Sequence, residues 1–150
     1  METISHIGIY EIVRDPDTAH TLSCDTHLYG AIVCPPVAIA QLLGPAHPGD
    51  GFKVSREWVF QHGELVFTVY DWKMTYLYDV DLLTPEQFWS IEFDEQLHVG
   101  SKSPATKEDA TAFSTALKTA IGASGVCPCG KNPKQAGEHL CESCIADLPF

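Results

Sequence analysis

Two segments of alternating apolar and polar residues, Lys53 to Gln61 and Glu64 to Trp72, stand on either side of a His62-Gly63 pair. Side chains alternate between faces along a strand, so a period of two on both sides of a glycine reads as a β-hairpin. A lone hairpin is marginal in water and needs further strands or a helix against its apolar face. The rest of the chain must supply that cover, which points to an α+β fold with a mainly antiparallel sheet and at least one packed helix.

The remaining segments fit this frame. Ile7 to Val13 reads as a first strand, closed by turn chemistry at Asp15-Pro16-Asp17, and Leu28 to Cys34 reads as another. Pro35 and Pro36 suit the first turn of a helix, where a missing N–H costs little, and Val37, Ile39, Leu42 and Leu43 give it a buried side. Gly44-Pro45 stops it, and residues 44–51 are too rich in glycine and proline to be anything but loop. Thr84-Pro85-Glu86-Gln87 starts a short capped helix, and Ile91, Phe93, Leu97 and Val99 mark a strand with one wet face. The last helix runs from Lys107 to Ile121, with Thr106 and Asp109 approximating a capping box, Phe113, Leu117 and Ile121 on the packed side, and Gly122 as its end. A first domain over residues 1–122 follows.

Composition narrows the function. With 150 residues and 45% of them apolar, one ordinary core plus an appendage is expected. A net charge of −11 argues against bulk nucleic-acid binding, because phosphates attract surplus lysine and arginine. The start, Met1-Glu2-Thr3-Ile4-Ser5, lacks the basic patch of a signal peptide, and Leu28 to Gly44 is too short and too interrupted to span a membrane. The expected setting is cytoplasmic, where six cysteines favour metal ligands or buried thiols over disulfides.

Four of these cysteines form two close pairs, Cys127-Pro128-Cys129 and Cys141-Glu142-Ser143-Cys144. Zinc takes four thiolates in a tetrahedron, and a segment this short cannot bury enough surface to fold without such a staple. We therefore expect a C-terminal four-cysteine zinc ribbon or knuckle over residues 126–150, joined by a small-residue linker at Ala123-Ser124-Gly125. Cys127, Cys129, Cys141 and Cys144 are its expected ligands, with His139 as a substitute for one; the first pair has one intervening residue where two are commoner. With no open position and no general base nearby, the Zn2+ reads as structural. His20, Cys24, His27 and Cys34 could be a second site, but they follow no familiar knuckle spacing, and Cys34 in its apolar run reads better as a small hydrophobe.

Signatures of catalysis are missing: there is no His-Glu-x-x-His, no Gly-x-Ser-x-Gly and no phosphate loop ending in Gly-Lys-Ser/Thr. Gly49-Asp50-Gly51 reads as a turn before it reads as a phosphate cradle. A cysteine nucleophile served by His98 or His62 keeps a small hydrolase open as an alternative.

The run Leu42-Leu43-Gly44-Pro45, then Gly49-Asp50-Gly51-Phe52-Lys53-Val54, Glu57-Trp58-Val59-Phe60, Val66 to Lys73, and Leu97-His98-Val99-Gly100 resembles a group of small bacteriophage-encoded accessory proteins. In these a GDxxKV…EW…FTxYDWK hairpin is followed by an HxGG-like strand end and a helix. The chain departs from that pattern at Ser101, where a second glycine is common, and in its cysteine-rich tail. The resemblance covers about Leu42 to Leu117 and brings no catalytic residues. It implies a phage protein in the bacterial host cytoplasm that antagonises immunity by stoichiometric binding, as some Thoeris antagonists do when they sequester a cyclic nucleotide signal.

Basic residues fall mostly within the matching region, as Lys53, Arg56, Lys73, Lys102 and Lys107, so an anion pocket is compatible with the acidic total. The expected ligand site joins Tyr70 and Trp72 for stacking on a base with Lys73, His98, Ser101 and Lys102 for phosphate. A plainer reading makes Trp58, Trp72 and Tyr70 hairpin packing, and His98 an ordinary histidine on a polar strand face. The competing class is an acidic protein-binding inhibitor of a host protein. Tyr76 to Glu95 holds Asp79, Asp81, Glu86, Glu92, Asp94 and Glu95 without one lysine or arginine, with Tyr76, Tyr78, Phe88 and Trp89 as aromatic anchors. The zinc module would then be a second contact surface or an oligomerisation handle.

Overall fold

The computed structural model describes residues 4–123. The zinc module expected over 126–150, with Cys127, Cys129, Cys141 and Cys144, lies outside the described residues. Strands β1 (His6–Ile7), β2 (Tyr10–Ile12), β3 (His27–Cys34), β4 (His47–Pro48), β5 (Arg56–His62), β6 (Leu65–Tyr70) and β7 (Glu95–Ser101) are joined with helices α1 (Pro16–Ser23), α2 (Pro36–Leu43), α3 (Pro85–Phe88) and α4 (Lys107–Ala123). The strands form one antiparallel sheet in the order β1-β2-β5-β6-β7-β3, with β4 beside β5 off that path. This is the expected α+β class with a mainly antiparallel sheet.

The expected hairpin is β5–β6, turning on Gly63-Glu64 with His62 opposite Leu65 and Gly63 at φ +58°. Glycine at the first central position of a two-residue turn matches the right-handed twist of the flanking strands. The same device recurs where a single strand over Ile7 to Val13 was expected. Gly8 at φ +57° folds that segment into the β1–β2 hairpin, with Ile7 opposite Tyr10. The apolar Ile7 and Ile9 directly on either side of Gly8 hid this turn in the sequence.

Further expectations change. Asp15-Pro16-Asp17 is not merely a turn: it starts α1, where the Asp15 carboxylate accepts from the Thr18 N–H at 2.9 Å and Pro16 occupies the first turn. The strand expected over Ile91 to Val99 begins at Glu95 instead and runs on to Ser101. Residues 44–51, expected as loop, contain the two-residue strand β4 beside β5, whereas the capping signals of the last two helices hold. Thr84 and Gln87 close a capping box on α3, and Thr106 and Asp109 exchange backbone-to-side-chain bonds of 2.8 and 3.1 Å at the start of α4. Gly122 lies inside α4, which continues to Ala123.

Alternation along the central strands separates two faces. Trp58, Phe60, Phe67, Val69, Leu97 and Val99 are buried together with Phe113, Leu117 and Ile121 of α4 and Ile39 and Leu43 of α2. Phe113 stacks on Phe67 at 4.8 Å with the ring planes 3° apart. On the opposite face α1 covers only one end of the sheet, where Ala19 packs with Val13, Val59 and Val66. The rest of that face carries Glu57, Thr68, Tyr70 and His98, with Leu28, Ala31 and Val33 along its β3 border.

Candidate functional site

Glu57, Tyr70, His98 and Ala31 occupy successive positions straight across β5, β6, β7 and β3. They share the face that α1 leaves uncovered, because each is one residue out of phase with the buried core positions. Tyr70 meets His98 edge-on at 5.6 Å, and Trp72, two residues beyond Tyr70, lies nearly parallel to His98 at 6.1 Å and 19°. Burial raises the Tyr70 phenol, helped by Glu57, and lowers the His98 imidazole. Glu57 is pushed up to about 7 by burial and by Asp50. The row therefore meets a ligand at neutral pH with a protonated phenol and a neutral imidazole.

Positive charge comes from the loops flanking the hairpin. The Lys53 ammonium lies 5.4 Å from the centre of the Trp72 ring and 6.0 Å from that of Phe52, while Lys73 lies 5.7 Å from Trp72 and 5.2 Å from Tyr78. Phe52 and Tyr78 meet edge-on at 5.4 Å. Phe52, Trp72 and Tyr78 remain 50%, 37% and 41% exposed, so two ammonium groups sit among three open aromatic surfaces. The parallel bridge of Thr75 to Leu83, with the Tyr76 N–H donating to the Leu83 carbonyl at 2.7 Å, closes the loop that presents Tyr78.

Two carboxylates build this geometry. Asp50 Oδ1 accepts from the N–H groups of Phe52, Lys53 and Val54 at 2.8, 2.8 and 3.0 Å. Burial pushes its pKa up, but these three bonds and the charge of Lys53 outweigh that and leave it below its ordinary value. The amides that a phosphate cradle would need are thus engaged by the chain's own carboxylate, and Gly49-Asp50-Gly51 is a turn. Asp71 is fully buried and accepts from Ser55 N–H, Arg56 N–H and the Ser55 hydroxyl at 2.9, 3.1 and 2.9 Å, pinning the start of β5 to the end of β6. Next to it the Lys73 N–H donates to the Lys53 carbonyl at 2.7 Å, with Lys73 at φ +59°.

Four of the six expected ligand residues, Tyr70, Trp72, Lys73 and His98, come together. Ser101 and Lys102 do not, which corrects the expected grouping. Ser101 is fully buried opposite Phe67, and its hydroxyl donates to the Val66 carbonyl at 2.5 Å. It lies three positions along the strand from His98, an odd step, so the pleat puts them on opposite faces; this parity was readable in the sequence. Lys102 donates from Nζ to the Cys24 carbonyl at 2.8 Å, four residues along the chain from His98 and roughly 13 Å away at strand spacing. Lys53, Phe52, Tyr78 and Glu57 complete the cluster. Lys53 could have been found by counting outward from the Gly63-Glu64 turn, which brings it beside Lys73.

The other candidates are placed as follows. Cys34 is buried in the core and its thiol is pushed up to about 12 by burial, with a smaller contribution from Asp94, while Cys24 is exposed. A thiol held that high is no nucleophile at neutral pH. No group of three or more His, Cys, Asp or Glu side chains among the described residues could hold a metal, and this set includes His20, Cys24, His27 and Cys34. His62 meets Tyr10 edge-on at 6.1 Å. Of the aromatic anchors expected on the acidic stretch, Tyr76 and Tyr78 are exposed, but Phe88 and Trp89 are core residues, the latter packed on Trp58 at 5.0 Å. No helix among the described residues is long and apolar enough to cross a membrane.

Compared with known proteins, the chain matches no family model, and its sequence has no significant match among curated proteins.

Proposed function

We propose that this chain is a non-catalytic binding protein whose ligand is a nucleotide, held where Trp72, Phe52 and Tyr78 meet Lys53 and Lys73. The observation that carries this reading is the placement of two ammonium groups within 5.2–6.0 Å of three exposed rings in a chain of net charge −11. Open rings offer stacking surface to a base, and the ammonium groups neutralise phosphate locally despite the acidic whole. His98 and Tyr70, behind Trp72, hold the indole and present hydrogen-bonding groups. Together with the likeness to small phage accessory proteins, this supports a phage-encoded antagonist that sequesters a nucleotide signal of bacterial immunity in the host cytoplasm. Its C-terminal module would be a structural zinc site of Cys127, Cys129, Cys141 and Cys144.

Calorimetric titration against a panel of cyclic and ADP-ribose-type nucleotides tests the proposal. Binding by the native chain that weakens at least tenfold in both Lys53→Ala and Lys73→Ala supports it. Heats indistinguishable from dilution across the panel would sink it. Turnover of any nucleotide, with loss in Glu57→Gln, would instead make the protein a small hydrolase.

A host protein partner is the second reading. It is favoured by the exposed Tyr76, Val80, Leu82 and Leu83 that neighbour Asp79 and Asp81 on the same loop, an apolar surface edged with acid. Co-purification of a host protein that is lost in Asp79→Lys but kept in Lys53→Ala would favour this reading over nucleotide capture.

A further inference from the structure

Strand β3 forms one border of the sheet and is eight residues long, whereas the other border, β1, has two. Its outer edge pairs with no other strand among the described residues. An edge of this length is a template for another strand, and proteins that stay single guard such edges with charge, proline or brevity. His27 to Cys34, reading His-Leu-Tyr-Gly-Ala-Ile-Val-Cys, contains no proline and no Asp, Glu, Lys or Arg. Alongside it runs an open groove of about 290 Å³ between the strand over Gly30 to Val33 and α4, where Ala110, Thr111, Ser114, Thr115 and Lys118 line it.

Symmetry and charge select the occupant. A register shift between Leu28 and Gly30 places Leu28 opposite Gly100 and Val33 opposite Gln96, so both stand on the face that carries His98. They are 57% and 47% exposed, the large apolar residues that β3 leaves open. Antiparallel pairing of this strand with its own copy brings Leu28 of each chain opposite Val33 of the other, and Ala31 to the axis. Without the bulge the two residues would fall on opposite faces and could not meet. Two chains of net charge −11 repel one another, and β3 adds no carboxylate to that repulsion.

We propose that β3 pairs antiparallel with β3 of a second copy of this chain across a two-fold axis at Ala31, joining the two sheets into one. The contact is isologous and closes after two copies, so it yields a dimer and not a filament.

Sedimentation equilibrium of the full chain tests this. The expected result is a species of twice 16.5 kDa, with the dimer dissociation constant raised about tenfold or more in Leu28→Lys and in Val33→Lys, and little changed in Ile9→Lys, an exposed apolar residue in the opposite border hairpin. Far-ultraviolet circular dichroism checks that each variant is folded. Hydrogen exchange of the native chain gives an independent reading: protection of the amides over 27–34 should rise with protein concentration. A native chain that stays monomeric at high concentration overturns the proposal. So does a dimer that survives both lysine substitutions in folded protein, or concentration-independent exchange over 27–34.

Discussion

The indole of Trp72 and the imidazole of His98 face one another, centroids 6.1 Å apart and planes 19° from parallel, although one residue lies in a loop and the other in mid-strand. The contact links the exposed aromatic cluster to the polar row on the sheet. It also gives that cluster a pH-sensitive neighbour. Burial lowers the His98 pKa, so its protonation falls below the usual histidine range near 6.5. We expect Trp72 fluorescence to be quenched as the pH falls through that lowered value, and the step to vanish in His98→Gln. A step that persists in the variant would assign it to another group.

Glu57 sets the opposite trend in stability. Its folded pKa of about 7 lies above the ordinary 4.5, so the folded chain holds the proton more tightly than the unfolded chain. The associated stability is fully present below about 4.5 and is lost as pH rises through about 7. Glu57→Gln should therefore stabilise the fold by about 1–3 kcal/mol at pH 8 and by little at pH 4. Urea denaturation at the two pH values measures this, and an equal change at both would refute it.

Lys73 adopts a left-handed backbone at φ +59°, which a residue with a Cβ occupies at a cost of about 1–2 kcal/mol. Lys73→Gly relieves that strain while removing the ammonium near Trp72 and Tyr78. The expected outcome is a gain in stability of up to about 1 kcal/mol together with weaker nucleotide binding. Alanine at the same position keeps the strain and loses the charge, so the pair separates backbone from electrostatics. Equal stability of the two variants would contradict the account.

Thiol labelling addresses the proposed zinc module. Cys24 is exposed and should react promptly, whereas Cys34 is buried with its thiol held near 12 and should react only on unfolding. If Cys127, Cys129, Cys141 and Cys144 hold zinc, four more thiols become reactive when a chelator removes the metal, with release of one zinc per chain. Five thiols reacting at once in the native chain, before any chelator is added, would rule the metal out.

Local chemistry carried much of the fold. The glycine at the β5–β6 turn, the capping boxes of α3 and α4, and the apolar stripe of α4 each act over a few residues, where geometry follows from the residues themselves. The same locality explains the errors. Gly8 lay between Ile7 and Ile9 with no second turn residue beside it, and Asp15-Pro16-Asp17 supports a turn or a helix start equally well, so packing of Ala19 on Val13, Val59 and Val66 decided for α1.

For the site, the sequence alone determined that His98 and Ser101 cannot share a side, since the pleat alternates with a period of two. Only the tertiary structure decided that Lys53 and Lys73 bracket one indole, that Phe52 meets Tyr78, and that Lys102 is tied to Cys24 instead. Those contacts join segments far apart in the chain. Their partners were set by strand order and by the buried Asp71 that clamps β5 to the end of β6, and neither follows from the spacing of residues along one segment.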